Sequence, residues 1–236
     1  MLAFAMAILA CGTAAADTIM VTGTGLGDSG FYLMENGVST QIGFAGIIDI
    51  TLTKTGSTTQ YNRETMCAEL FVDISENTTY NTVVYYPSAA PVTAPTTNAA
   101  LEQIAWLLNN VTPTTNDQAA GLQLAIWKIA EDGVDTGSNL SFTTGTVQKV
   151  QSGRNATPTA IVSYAETYLA QSVGHLSNNA DVYVNTSRTY PYAGAQMLEG
   201  LGYPTGPQPI MPESSTFVLA GAALLALGHR VRRRAS

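Results

Sequence analysis

Two residues of this chain have the side-chain types and setting to do chemistry: Cys67 and Gln123. Gln123 lies in "GLQLAIWKIAED" (121–132), a stretch that reads as a helix apolar almost all round, one turn before Trp127. A glutamine on such a helix needs partners for both its carbonyl and its amide. Two readings follow. Its carboxamide bonds to the backbone of a neighbouring β region, or its carbonyl carbon takes part in a reaction.

Cys67 lies in "TMCAELFVDI" (65–74), which reads as a strand. The other cysteine, Cys11, falls in "MLAFAMAILACGTAAADT", an apolar run ending in Ala14-Ala15-Ala16. That is the pattern of a secretory signal with an A-x-A cleavage site, over residues 1–16. Its removal leaves Cys67 alone in an oxidising compartment, without an intramolecular disulfide partner. Strand alternation puts Met66, Ala68, Leu70, Val72 and Ile74 on one apolar face. Cys67 falls on the other, with Thr65, Glu69, Phe71 and Asp73, so register predicts a cysteine set off the packing face.

On the Gln123 helix, Leu122, Ala125, Ile126 and Ile129 form the main apolar face. Ala119, Gln123, Trp127 and Ala130 make a neighbouring stripe. Small residues below and an indole above would give the carboxamide a dry slot. Taken by themselves, the residues leave both readings open.

"LQLAIW" resembles the TQxA motif of bacterial thioester domains, whose helix supplies a Gln before x-Ala-Ile-Trp. "MCAELF" is similar to the strand motif that supplies their Cys. The resemblance spans roughly residues 60–190, with Leu122 standing where Thr or Val is usual and Met66 where an aromatic is usual. It implies an internal thioester between Cys67 Sγ and Gln123 Cδ, formed with loss of ammonia. Such a bond acylates an amine or hydroxyl of a partner once, without turnover, so the chain is expected not to be an enzyme. Trp127, Trp106 and Phe71 are expected to shield the bond from water. No cofactor and no metal are called for.

The elements that would position this pair are legible in outline. The expected fold class is α+β: a β-rich part over 17–86, a helical region over 99–175 and a closing strand at about 180–186. "PSAAPVTAPTTN" (87–98) is Pro-rich and separates the first two without regular structure. The first helix, about 99–110, places Leu101, Ile104, Ala105 and Leu108 on one face. The second starts with Thr115 and Gln118 at capping-box spacing and stops at Asp132-Gly133. The third has Thr157 as cap and Pro158 at its first position, and ends before Gly174. Together 17–203 form the expected thioester-like domain, followed by a linker over 204–211.

The chain ends in "MPESSTFVLAGAALLALGHRVRRRAS". The run from Thr216 to Gly228 would cover about 20 Å as a helix, short of the ~30 Å hydrocarbon core. Arg230, Arg232, Arg233 and Arg234 would hold its end on the cytoplasmic side. Pro212-Glu213, an apolar segment and terminal arginines resemble the PEP-CTERM sorting signal of Gram-negative, biofilm-forming bacteria, with Ser214 in place of the usual second Pro. The resemblance implies a transient inner-membrane anchor over 212–236, processing by an exosortase-like enzyme, and release to the cell surface or extracellular matrix.

Composition agrees with export and excludes one class of partner. The chain is 45% hydrophobic but only 11% charged. Without the tail arginines and Glu213, six basic and sixteen acidic residues remain, a balance of −10 that would repel nucleic acid. A hydrolase built on Cys67 and the mid-chain His175 would need a placed base and oxyanion hole that no motif supplies. "DGVDTGSN" (132–139) lacks calcium-loop spacing. The expected function is covalent capture of a nucleophile on an extracellular protein or polysaccharide, in adhesion or matrix cross-linking. The alternative is a non-covalent matrix protein of the same fold.

Overall fold

The computed structural model describes residues 16–70, 75–92, 95–133 and 140–186, and the backbone of 198–200. The signal segment up to residue 15, Phe71, and the whole sorting region with Pro212, Glu213, Ser214 and its arginines lie outside the described residues. Six strands close an antiparallel barrel in the order β1-β4-β5-β9-β8-β6. They are β1 (Asp17–Asp28), β4 (Ala45–Thr53), β5 (Gln60–Cys67), β6 (Thr79–Tyr85), β8 (Val182–Asn185) and β9 (Leu198–Gly200). A second sheet, in the order β3-β2-β7, joins β2 (Tyr32–Glu35), β3 (Val38–Gln41) and β7 (Val147–Lys149). Three helices, α1 (Asn98–Asn110), α2 (Asn116–Asp132) and α3 (Thr159–Ser172), complete an α+β fold. Among the described residues, no helix is long and apolar enough to cross a membrane.

Alternation along the barrel strands sorts apolar side chains into two cores. Ile19, Val21, Ile48, Ile50, Leu52, Val84 and Tyr183 fill the lumen. Ala45, Ile47, Met66, Val182 and Val184 line the outer wall, where the helices cover them. The helix at the centre of that outer core is α2. Every residue from Ala119 to Ala130 is buried, because α3, β1 and β4 pack around it. Gly121 permits the close approach of α3: a Cβ there would stand 2.6 Å from Tyr164 Cβ and 3.0 Å from the Ile161 carbonyl.

Several local signals act as the sequence indicates. Thr115 caps α2, its Oγ1 accepting from Gln118 N–H at 3.3 Å. Gln118 does not return the bond to Thr115; its carbonyl accepts from Thr114 N–H and Oγ1–H instead. Thr157 does not cap α3. Pro158 takes the N-cap position, while Thr157 Oγ1 accepts from Val150 N–H and donates to the Tyr32 carbonyl. The hydroxyl thus ties the second sheet to the start of α3. The Pro-rich segment, expected to lack regular structure, forms a 3-10 turn at Pro87–Ala89, and its last residue, Asn98, already begins α1. The strand carrying Cys67 begins earlier than expected, at Gln60, and ends at Cys67, with residues 68–70 outside it; the expected continuation over 71–74 lies outside the described residues. The closing strand is present as β8 and pairs with β6, register Val84↔Tyr183.

Candidate functional site

Cys67 and Gln123 meet where the barrel wall comes apart. β4 and β5 stay in register as far as Ile48↔Thr65; beyond it β4 keeps only β1 as a neighbour, with Gly27↔Gly46 and Asp28↔Ala45. In an antiparallel ladder, residues two apart present their N–H and C=O to the same side. Cys67 therefore aims both groups at the place β4 has left. Its other edge belongs to β9, in the pairing Cys67↔Leu198.

Gln123 enters that gap from α2. Its Oε1 accepts from Cys67 N–H at 3.1 Å, and its Nε2–H donates to the Cys67 carbonyl at 2.6 Å. The carboxamide thus takes the part of a peptide group in the missing strand. Gln123 is 1% exposed and Cys67 5%, so water offers no substitute partners. A leucine here would orphan two backbone groups at a cost of about 1–3 kcal/mol each. This answers why an otherwise apolar helix carries a glutamine. It also matches the first of the two sequence readings, with Cys67 itself as the backbone partner.

The thiol is directed elsewhere. Met66, Ala68 and Leu70 join the helix-covered core, whereas Cys67 joins the lumen residues. Register therefore gives the correct face, but the inference drawn from it needs correction. The face opposite Met66 is itself a packing face, because barrel closure makes a second core that strand alternation cannot reveal. The sulfur donates to the Glu69 carbonyl at 2.9 Å, so the chain folds back over the thiol directly after the strand.

Trp127 follows Gln123 by one helical turn and is 3% exposed. Among the described residues, its indole Nε1–H has no hydrogen-bond partner. Trp106, on α1, is half-buried and stacks on His175, with ring centroids 4.5 Å apart and planes 13° from parallel. His175 is engaged there, just past α3. The structure thus brings together Cys67 and Gln123, sets Trp127 beside Gln123 on its stripe, and places Trp106 in a stack with His175.

Two polar clusters escape sequence reasoning. Lys128 sits on α2 at 1% exposure. Its Nζ pairs with Asp132 and donates to the carbonyls of Thr144 and, at 3.0 Å, Val147. Asp132 Oδ1 accepts from Thr146 N–H at 2.6 Å. A lone lysine in a helix ordinarily reads as solvated; here it ties the chain around 144–147 to α2. Beside it, burial together with Glu35 and Asp132 pushes the Glu131 carboxyl up to about 7. Around Tyr183 of the lumen, Arg63 and Asp181 complete the second cluster, where burial raises both the Asp181 carboxyl and the Tyr183 phenol. The Arg63 and Lys54 charges work against burial at Asp181.

An open groove of about 460 Å³ on the barrel wall is lined by Thr22, Asp49, Thr51, Asn62 and Glu64, with Ile50 and Arg63, and includes neither Cys67 nor Gln123. Among the described residues, no group of three or more His, Cys, Asp or Glu side chains is placed to hold a metal ion. Compared with protein-family models, curated proteins and solved structures, the chain finds no match.

Proposed function

We propose that this chain is an exported surface or matrix protein that captures a partner covalently through an internal thioester between Cys67 and Gln123. The observation that carries the reading is the reciprocal pair of hydrogen bonds fixing the Gln123 carboxamide on the Cys67 peptide in a site closed to water. Its Oε1 accepts from Cys67 N–H, so the carbonyl is polarised by the residue whose sulfur would attack it. A nucleophile and an acyl group carried by two residues that are already bonded to each other react at high effective concentration once they are aligned.

In this reading a change of the Cys67 rotamer turns Sγ from the Glu69 carbonyl toward Gln123 Cδ. The S–C bond forms as the carbonyl electron pair moves onto Oε1. Collapse then breaks Cδ–Nε2, and the thiol proton leaves with the nitrogen as ammonia. Attack by a partner amine reverses the chemistry at the same carbon: an amide forms, and the thiol of Cys67 is released with a proton. The event occurs once per molecule, which suits an adhesin or cross-linker. The apolar, Arg-capped tail suits display at the surface or in the matrix.

A second reading is favoured by the same contact. With both ends of its carboxamide bonded to backbone, Gln123 has a sufficient structural reason to exist, and the chain would be a non-covalent matrix protein. Intact mass separates the two. The covalent reading expects mature protein lighter than its sequence by one ammonia, with Cys67 closed to thiol reagents in denaturant. Methylamine should then add its own mass and expose one thiol. Full sequence mass with a titrating thiol in freshly prepared protein would leave the structural reading.

A further inference from the structure

Trp127 has a feature that neither packing nor shielding requires. Its indole is 3% exposed, yet Nε1–H has no acceptor among the described residues. A buried donor left unbonded loses its hydration without compensation, and a phenylalanine would fill an apolar slot without that cost. Side chains on an α-helix lean toward its N-terminus and cover the turn before their own Cα. For Trp127 that turn holds Gln123, four residues earlier on the same stripe of α2. The residue with the orphaned donor is thus the i+4 neighbour of the one whose carboxamide oxygen has one identified donor, Cys67 N–H.

We infer that Trp127 Nε1–H is the second donor to the Gln123 acyl oxygen, engaged when that oxygen becomes an oxyanion. The inference rests on the thioester reading and deepens it. In the resting amide, Oε1 carries partial charge and accepts one identified hydrogen bond, from Cys67 N–H at 3.1 Å. When Sγ adds to Cδ, the π pair moves onto Oε1, which then holds a full charge and room for another hydrogen bond. A donor already desolvated and held by the core needs little reorganisation to meet that charge, which makes it worth more than the same group in water. When the intermediate collapses, the charge returns to the C=O bond and the indole is released. Aminolysis passes through the same oxygen, so Trp127 serves bond formation and partner capture alike.

The test removes the N–H and keeps the rings. In a Trp106→Phe background, Trp127 becomes the sole tryptophan, and biosynthetic labelling replaces it with benzothienylalanine, which has sulfur in place of the indole N–H. Trp127→Phe is made in parallel, and folding of each variant is verified by urea denaturation. The measurements are the rate of ammonia loss in freshly refolded protein and the rate of methylamine uptake, both read by intact mass. Loss of the donor should slow both, by about a hundredfold, the scale on which an oxyanion donor acts. A Trp127 that only shields the bond would leave both rates of the benzothienyl protein at those of Trp106→Phe, and that result overturns the inference. Absence of the mass deficit in wild-type protein would instead overturn the thioester reading beneath it. Because the benzothienyl group preserves shape, the comparison stands even if Trp127→Phe fails to fold.

Discussion

Replacing Gln123 by leucine in a Cys67→Ala background isolates the hydrogen-bond pair from any covalent bond. Alanine at 67 keeps the peptide whose N–H and C=O face Gln123, and removes the sulfur from both proteins compared. Leucine nearly matches glutamine in volume, so the core around α2 keeps its packing. What changes is that two buried backbone groups lose the partners they have at 3.1 and 2.6 Å. Each orphan costs about 1–3 kcal/mol, while the added apolar burial returns roughly 1 kcal/mol. The net expectation is a destabilisation of about 3 kcal/mol. For a domain of this size that corresponds to a fall in Tm of about 6–12 °C. Urea denaturation of the single and double variants, followed by circular dichroism, reads the difference directly. A change below about 0.5 kcal/mol would mean that water or a backbone shift satisfies Cys67 unaided, and would refute the idea that the carboxamide replaces a missing strand.

Lys128→Met should destabilise the fold by about 3–5 kcal/mol, because it strands Asp132 in the core and removes the donor from two carbonyls; a urea midpoint equal to wild type would exclude that role. Glu131 should make stability fall as pH rises. Its carboxyl is held up at about 7 against an ordinary 4.5, so the folded state keeps a proton that the unfolded chain gives up. The stability this contributes is present in full below 4.5 and is lost as pH rises through about 7. Solvent screening at this half-buried group reduces the effect to about 1 kcal/mol. Glu131→Gln should flatten the dependence of thermal midpoint on pH between 5 and 8, and an unaltered slope in the variant would count against it.

Much of the framework could be read from residue patterns, because the signals involved are local. Helix periodicity identifies α1, α2 and α3 to within a residue or two, and Thr115 marks the start of α2. Cys67 and Gln123 stand out as misfits, a thiol on a strand with its one fellow cysteine in the signal-like segment, and a polar group on an apolar helix. The two-residue turn Asn36-Gly37, with φ of 48° and 83°, is a further local signal, for the β2–β3 hairpin. What periodicity could not reveal is closure. That the strands form a barrel with a filled lumen depends on pairings between distant segments, such as β1 with β6 and β5 with β9. Closure turned the supposedly free face of Cys67 into a core.

The sequence by itself determined which residues are anomalous; only the tertiary structure decided what each anomaly is bonded to. Gln123 was conspicuous because a carboxamide demands partners, but the partner is a peptide 56 residues away, exposed only because β4 parts from β5 beyond Thr65. Lys128 was inconspicuous because a charge on a helix is ordinarily solvated, and it became a buried tie only when the chain around 144–147 folded over it. In each case the identity of the group is a one-dimensional fact. Its desolvation and its hydrogen bonds are properties of long-range packing, and those set its energy and its reactivity.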